Sequence, residues 1–349
     1  MIEPRTLERI ALERLPELQV ASGLFRATAR IEGVEDETEA ATTLQAGIVV
    51  LLGLLRAEEA ETEQPFSIGA LRTRILGDLG ATSVSPGELG LALWAESRAG
   101  GEAIAEIDGL IRRATTAGLE KVPTEQLAWL ASGLAETAVL TGDPATGLIG
   151  EVKSELTGRL TPGGLSRDVH ARRLGVAVPV AGQFHLLHAL VQLIRAGEED
   201  LRPAADQIAG ALLSLQRQDG AWPGLVDPVR TEAAVVYPVL SVTQVAVAPI
   251  ALRAASELGL GDFNSAIESG LNWANGGNAL GLDLVHEADA RIDRGILTKR
   301  KPGALERGIS SAARRIRGQA FEPDARQLII DPAASSEDLG WVLEAWSGR

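Results

Sequence analysis

Apolar residues in this chain collect into helical segments of two kinds, and the two kinds alternate from one end to the other. Segments of the first kind are hydrophobic on nearly every face. One runs roughly from 39 to 60. A second starts at Pro86 and carries Leu89, Leu91, Leu93 and Trp94, and a third starts at Pro123 and carries Leu127, Trp129, Leu130 and Leu134. A fourth starts at Pro179 with Phe184, Leu187, Leu190 and Leu193. A fifth follows Pro238 through Val245, Val247 and Leu252, and a sixth runs from Ser335 through Leu339, Trp341, Leu343 and Trp346. Segments of the second kind, at about 67–79, 102–117, 145–157, 201–217, 263–273 and 303–316, carry a single apolar stripe. A helix that is apolar all round must be enclosed by protein, and a striped helix covers a neighbour with one face. Six of each in alternation predict an all-α (α/α)6 toroid, an inner ring of helices wrapped by an outer one. An open α-solenoid is the alternative; the unequal spacing of the segments and a length of 349 residues favour the closed ring. The expectation is one barrel domain over residues 1–349, with residues 1–38 as an N-terminal lead-in.

Punctuation between the segments agrees. Pro86, Pro123 and Pro203 stand where a first helical turn tolerates proline, and Ser335 with Asp338 fits an S-x-x-D cap. Gly80, Gly118, Gly158 and Gly318 stand at expected helix ends.

Composition removes several function classes. The formal net charge of −14 opposes nonspecific nucleic-acid binding. There is no cysteine and there are only four histidines, which excludes disulfides and thiolate metal ligands and leaves little material for a histidine metal site. No metal or other cofactor is expected. The opening Met1-Ile2-Glu3-Pro4-Arg5 lacks a basic region ahead of an apolar core. The longest apolar run, Ala46 to Leu55, is about ten residues, too short for a membrane span. A cytoplasmic protein is expected, with a small molecule or glycan as its ligand.

One turn carries more specific information. Gln216-Arg217-Gln218-Asp219-Gly220-Ala221-Trp222 reads Q-x-x-D-G-x-W at the end of an apolar helical run. Asp219-Gly220 ends the helix, and Gln216 and Trp222 are expected to meet across the turn, amide against indole. The turn resembles the QW turn of the α/α-toroid superfamily, which includes triterpene cyclases and protein prenyltransferase β-subunits. A wider set of residues looks like a group of bacterial helical-barrel proteins of uncharacterised function: Gly23-Leu24-Phe25, Gly182-Gln183-Phe184-His185, Val236-Tyr237-Pro238-Val239 with Gln244 and Ala248-Pro249, and Glu337-Asp338-Leu339-Gly340-Trp341. The chain departs from that group at Gly182 and Thr243, where the group carries aspartate and histidine, and after the turn glycine, where the group has an aromatic cluster and this chain only Trp222.

In a toroid of this kind the inner helices run parallel and their N-termini converge on one end. Polar residues near those N-termini therefore predict the site: Gln45, Glu88, Glu125 with Gln126, Gln183 with His185, Gln244, and Glu337 with Asp338. Such a ring of amides and carboxylates suits a polyhydroxylated ligand, and each member also suits a plain helix cap. His185 and His188 share a helix face at i, i+3 spacing. Of these residues, Glu337 or Asp338 is the expected acid/base, with His185 as its partner. Gln183, Gln244, Tyr237, Trp222 and Asp219 are the expected substrate-binding residues. Asp227 and Glu232 flank the long connection after the turn, and His286-Glu287-Ala288-Asp289 fails the H-E-x-x-H zinc pattern. Lys299, Arg300, Lys301, Arg307, Arg314, Arg315 and Arg317 form the one basic stretch, a solvated outer face or an anion site.

Three functions fit. A carbohydrate-active enzyme suits the carboxylates and amides of the mouth. A terpene cyclase or prenyltransferase shares the QW turn, but the D-x-D-D motif is absent and twelve aromatics (six Trp, one Tyr, five Phe) are few for holding carbocations. The third is a non-catalytic barrel that binds a small molecule or a protein.

Overall fold

The computed structural model describes residues 2–27, 43–81, 83–142, 148–169, 177–299 and 323–349. In chain order its α-helices are α1 (Pro4–Leu18), α2 (Leu44–Glu59), α3 (Ile68–Ala81), α4 (Pro86–Arg98), α5 (Ile104–Ala114), α6 (Thr124–Thr141), α7 (Leu148–Gly158), α8 (Val180–Arg195), α9 (Arg202–Leu215), α10 (Ala248–Glu257), α11 (Asn264–Ala274) and α12 (Ser336–Trp346). Even-numbered helices form the inner ring and odd-numbered helices the outer one. Each inner helix packs on the next, and α12 packs on α2 to close the ring. The fold is the (α/α)6 toroid.

Inner helices approach one another through glycine. A Cβ added at Gly53 would lie 2.4 Å from the Gly340 carbonyl oxygen, and one at Gly133 would lie 2.0 Å from that of Gly90. Only a missing side chain permits backbones this close, so α2 and α12, and likewise α4 and α6, meet main chain to main chain. The narrow ring that results is filled along its axis by Trp94, Trp129 and Trp341 with His185 and His188.

The sixth outer position is taken by α1, which packs on α12. The expected lead-in over 1–38 thus contains a helix of the ring. It was hidden because Arg5, Arg9, Glu13 and Glu17 make its stripe look ordinary beside a terminus; Leu7, Ile10, Ala11, Leu15 and Leu18 form that stripe and are buried. The segment expected at 303–316, with most of the basic stretch, lies outside the described residues.

The fifth inner helix opens with a π-helical turn, Thr243–Val247, before α10. Pro249 supplies the cause. It has no N–H to continue the α ladder, and the Ala248 N–H reaches back to the Thr243 carbonyl, a wider spacing of the kind found at π-bulges.

Among the described residues, strands occur only in connections that lead from an outer helix to the next inner one. β1 (Val178–Pro179), β2 (Leu225–Asp227) and β3 (Glu232–Val235) form one antiparallel sheet. β4 (Val239–Leu240), β7 (Gly295–Thr298) and β8 (Leu328–Asp331) form a second, and β5 (Val285–His286) pairs with β6 (Arg291–Ile292). These long connections all decorate the end where the inner N-termini converge. Connections from inner to outer helices, such as 99–103 and 196–201, are short.

Candidate functional site at the mouth of the barrel

The first turns of α2, α4, α6 and α12 carry Gln45, Glu88, Glu125 and Glu337 at the decorated end. The start of α6 is held firmly. The buried Arg159 donates to the carbonyls of Leu119 and Val122 and to Thr124 Oγ1, at 3.0, 2.8 and 3.1 Å. Asp168 accepts the Thr124 N–H at 3.0 Å. Glu125 is therefore presented from a fixed turn. Its side chain keeps 38% exposure, and its Oε1 lies 3.6 Å from His185 Nε2, beyond a normal hydrogen bond.

Electrostatics separates the carboxyls. Desolvation, reinforced by the charges of Glu337 and Asp168, raises the Glu125 carboxyl to about 7. Burial also raises Glu337, but Gln45 Nε2 donates to its Oε1 at 2.8 Å and the Trp341 indole donates to it as well, and both favour the ionised form. Burial depresses His185 to about 3, so its imidazole is neutral at pH 7. Its ring lies between Trp341, with centroids 5.0 Å apart, and the edge-on Trp129 at 5.4 Å.

Below His185 the axis closes. Trp94, Trp129, Ser132, Phe184, His185, His188 and Trp341 surround a cavity of about 10 Å³, the room one water needs. His188 stacks on Trp94 at 5.0 Å. Its two ring nitrogens lie 3.3 Å from Ser132 Oγ and 3.0 Å from Gln192 Nε2. Of the two histidines, His188 is thus the hydrogen-bonded core residue and His185 the one that faces the mouth.

Asp338 turns elsewhere. It lines a second cavity of about 10 Å³ with Ser241, Val242, Ile292 and Ser335. Burial and the charge of Glu337 raise its carboxyl to about 7. Adjacent positions on a helix diverge by roughly 100°, so Glu337 and Asp338 serve different spaces.

The expected substrate-binding residues make the following contacts within the fold. Gln183 is buried; its Oε1 accepts the Ser166 N–H at 2.7 Å and its Nε2 donates to the Ser166 carbonyl at 3.2 Å. Gln244 accepts the Trp222 N–H at 2.9 Å. Trp222 is fully buried, donates from Nε1 to the Leu212 carbonyl at 2.8 Å and packs edge-on against Phe184. Gln216 donates to the carbonyls of Gly220 and Ala266, both at 2.8 Å. The turn clamps the end of α9 as expected, but amide and indole each hold a backbone carbonyl instead of one another. Asp219 accepts the Ala221 N–H at 3.2 Å and pairs with Arg217, as a turn residue does. Tyr237 is 5% exposed. Gln183, Gln244 and Trp222 are buried and bonded to backbone groups of neighbouring elements. Asp227 likewise accepts the N–H groups of Val229 and Arg230 in the β2–β3 turn, at 3.0 and 3.3 Å. Glu125, two residues after Pro123, reads in the sequence as an ordinary first-turn acid.

Among the described residues no three of His, Asp and Glu gather as metal ligands, and no helix is long and apolar enough to cross a membrane.

No family model and no curated protein matches the chain. Solved structures do. A possible member of the GH105 family from Klebsiella pneumoniae superposes with a TM-score of 0.61 at 13% identity, covering 99% of this chain and 92% of its own. The GH76A α-1,6-mannanase of Salegentibacter sp. HEL1_6 gives 0.59 at 12% identity, covering 99% of both chains. A sugar epimerase from a ruminal bacterium gives 0.54 at 11% identity, covering 78% of this chain and 87% of its own. At these identities the likeness is one of fold.

Proposed function

We propose that the protein is a carbohydrate-active enzyme that modifies a glycan at the barrel mouth, with Glu125 as proton donor, Glu337 as the second carboxylate and His185 as the group that orients the substrate between them. The observation that carries this reading is Glu125. Its carboxyl is held near 7, lacks a hydrogen bond among the described residues, and faces a neutral imidazole 3.6 Å away. General acids work best with a pKa near the working pH. Two carboxyls in environments that push their protonation apart are the arrangement used to cleave glycosidic bonds. Glu337 accepts two hydrogen bonds that offset part of the rise caused by its burial. The sequence pointed to Glu337 or Asp338 with His185; the proposal keeps Glu337 and His185 and replaces Asp338 by Glu125. Structural neighbours described as glycosidases support the reading by analogy of fold, and a variant of the mannanase was crystallised with α-1,6-mannotriose.

A non-catalytic barrel is favoured by one feature, the axial cavity of about 10 Å³, which confines any ligand to the mouth. The terpenoid alternative rests on the QW-like turn, and the same closed axis argues against an enclosed carbocation.

The test is a panel of α- and β-linked neutral, amino and acidic oligosaccharides incubated with the protein and read by NMR for cleaved or epimerised sugar. Turnover is expected at pH 6–7 and falls above pH 7 as Glu125 loses its proton. Glu125→Gln is expected to lower the rate by about 10²-fold or more at unchanged melting temperature. Sugars that bind without any turnover would refute the enzyme and support the non-catalytic barrel.

A further inference from the structure

Hydrogen bonds along the axis have a direction, and it is set at the end opposite the mouth, where α8 finishes. Arginine only donates. Arg195 Nη1 lies 3.3 Å from Gln192 Oε1 and therefore fixes which end of that amide is oxygen. The opposite assignment would set two donors face to face. The Gln192 amide nitrogen then faces His188 Nε2 at 3.0 Å and donates to it. Burial pushes His188 down to about 3, so its ring is neutral at pH 7 and carries one N–H. With Nε2 accepting, that N–H is on Nδ1, which lies 3.3 Å from Ser132 Oγ and donates to it. Ser132 thus accepts from His188 and keeps its own hydroxyl proton to give.

That proton is available to the axial cavity, which the buried Ser132 lines. Trp94 and Trp129 line it too, and their indole N–H groups are buried without an acceptor among the described residues. The polar groups gathered there are donors, with one exception. His185 is also neutral and turns Nε2 toward Glu125, which leaves Nδ1. The cavity of about 10 Å³ has room for one water. Among the described residues no carboxylate, lysine or arginine lines it, so an ion would be buried there without a countercharge. Water meets both needs, because it accepts from a hydroxyl and donates to a bare ring nitrogen.

We infer that one buried water in the axial cavity accepts from the Ser132 hydroxyl and donates to His185 Nδ1, and so holds His185 in the Nε2–H tautomer, presenting a hydrogen-bond donor beside Glu125. Arg195, Gln192, His188 and Ser132 are positioning residues that act on His185 through this water. The two histidines, one turn apart, carry their protons on opposite nitrogens. A ligand atom that meets His185 Nε2 has to accept, as a hydroxyl, glycosidic or carbonyl oxygen does. This wiring is the same whatever ligand the mouth takes, and it stands apart from the glycan reading.

Long-range proton–nitrogen NMR of the full chain with ¹⁵N-labelled histidine, at pH 7, reads both tautomers directly. His185→Gln and His188→Gln serve only to assign the signals. His185 is expected as Nε2–H and His188 as Nδ1–H, with a bound-water NOE to the His185 ring protons. His185 as Nδ1–H, His188 as Nε2–H, or a His185 ring with no bound-water NOE overturns the inference. Ser132→Val replaces the hydroxyl by methyl groups that take up the cavity. The water NOE should vanish, and the minor tautomer of His185 should rise about fivefold, the worth of one hydrogen bond. Unchanged tautomer populations in the folded variant would overturn the part given to the water. Should that variant not fold, the wild-type spectra still decide. None of these readings needs a ligand or turnover, so failure here leaves the glycan proposal untouched.

Discussion

Asp338 is a buried carboxyl that lines a small cavity apart from Glu337. Its carboxyl is raised to about 7 chiefly by burial, against about 4 for an unfolded aspartate. A group whose folded value is raised stabilises the fold fully below the unfolded value and loses that contribution as pH climbs through the folded one. Wild-type stability should therefore decline between about pH 4 and pH 7. Asp338→Asn, which carries no charge to bury, should gain relative to wild type between pH 5 and pH 8 when melting temperatures are compared. A constant difference across that range would show that Asp338 does not titrate there. The same residue shows how far side-chain roles can be read from a pattern. Gln183, Gln244, Trp222 and Asp219 stood out as unusual polar and aromatic residues near a predicted mouth, and the structure does bring them near it. Nothing in a linear pattern tells an amide that binds backbone from one that awaits a ligand. That distinction lies in the long-range partners, Ser166 for Gln183 and Trp222 for Gln244.

Among the elements, the inner helices were legible because a helix apolar on every face has few alternatives. Pro86, Pro123, Pro179 and Ser335 located four of their starts to within a residue or two. Helix α1 was not recognised, because membership of a ring depends on contact with α12 at the other end of the chain. The glycine contacts are an element-scale property with an opposed pair of predictions. Gly340→Ala places a Cβ 2.7 Å from the Val49 carbonyl carbon and oxygen. It should cost about 1–3 kcal/mol in chemical denaturation, since α2 and α12 must part. Gly77 is an exposed position of α3 with nothing near its virtual Cβ. Gly77→Ala should gain about 0.5–1 kcal/mol by helix propensity. Destabilisation by both would mean that glycine serves the helices themselves and not their approach.

At the scale of the molecule the two ends of the ring are built differently. One carries the sheets and the carboxyls of the mouth. The other is sealed by ion pairs at the inner C-termini. Arg98 lies over the Trp94 ring, pairs in bidentate fashion with Glu344, and feels the half-buried Glu136; Arg195 pairs with Glu257 at 2.8 Å. Removing one partner of a buried pair strands the other. Arg98→Met should thus cost about 3–5 kcal/mol, and the double variant Arg98→Met with Glu344→Leu should recover most of it. A single variant as stable as wild type would show the seal to be dispensable. The ring also fixes where attachments go. Because α1 is an outer helix and α12 an inner one, the chain enters and leaves on the sealed side. Glu8 holds Thr62 just past α2, Gly348 abuts Ala60, and Arg349 reaches Glu257. A tether, tag or fused partner joined to either terminus would hang from the floor of the barrel, so the protein can be anchored by both ends on a solid support with its opening turned to the solution.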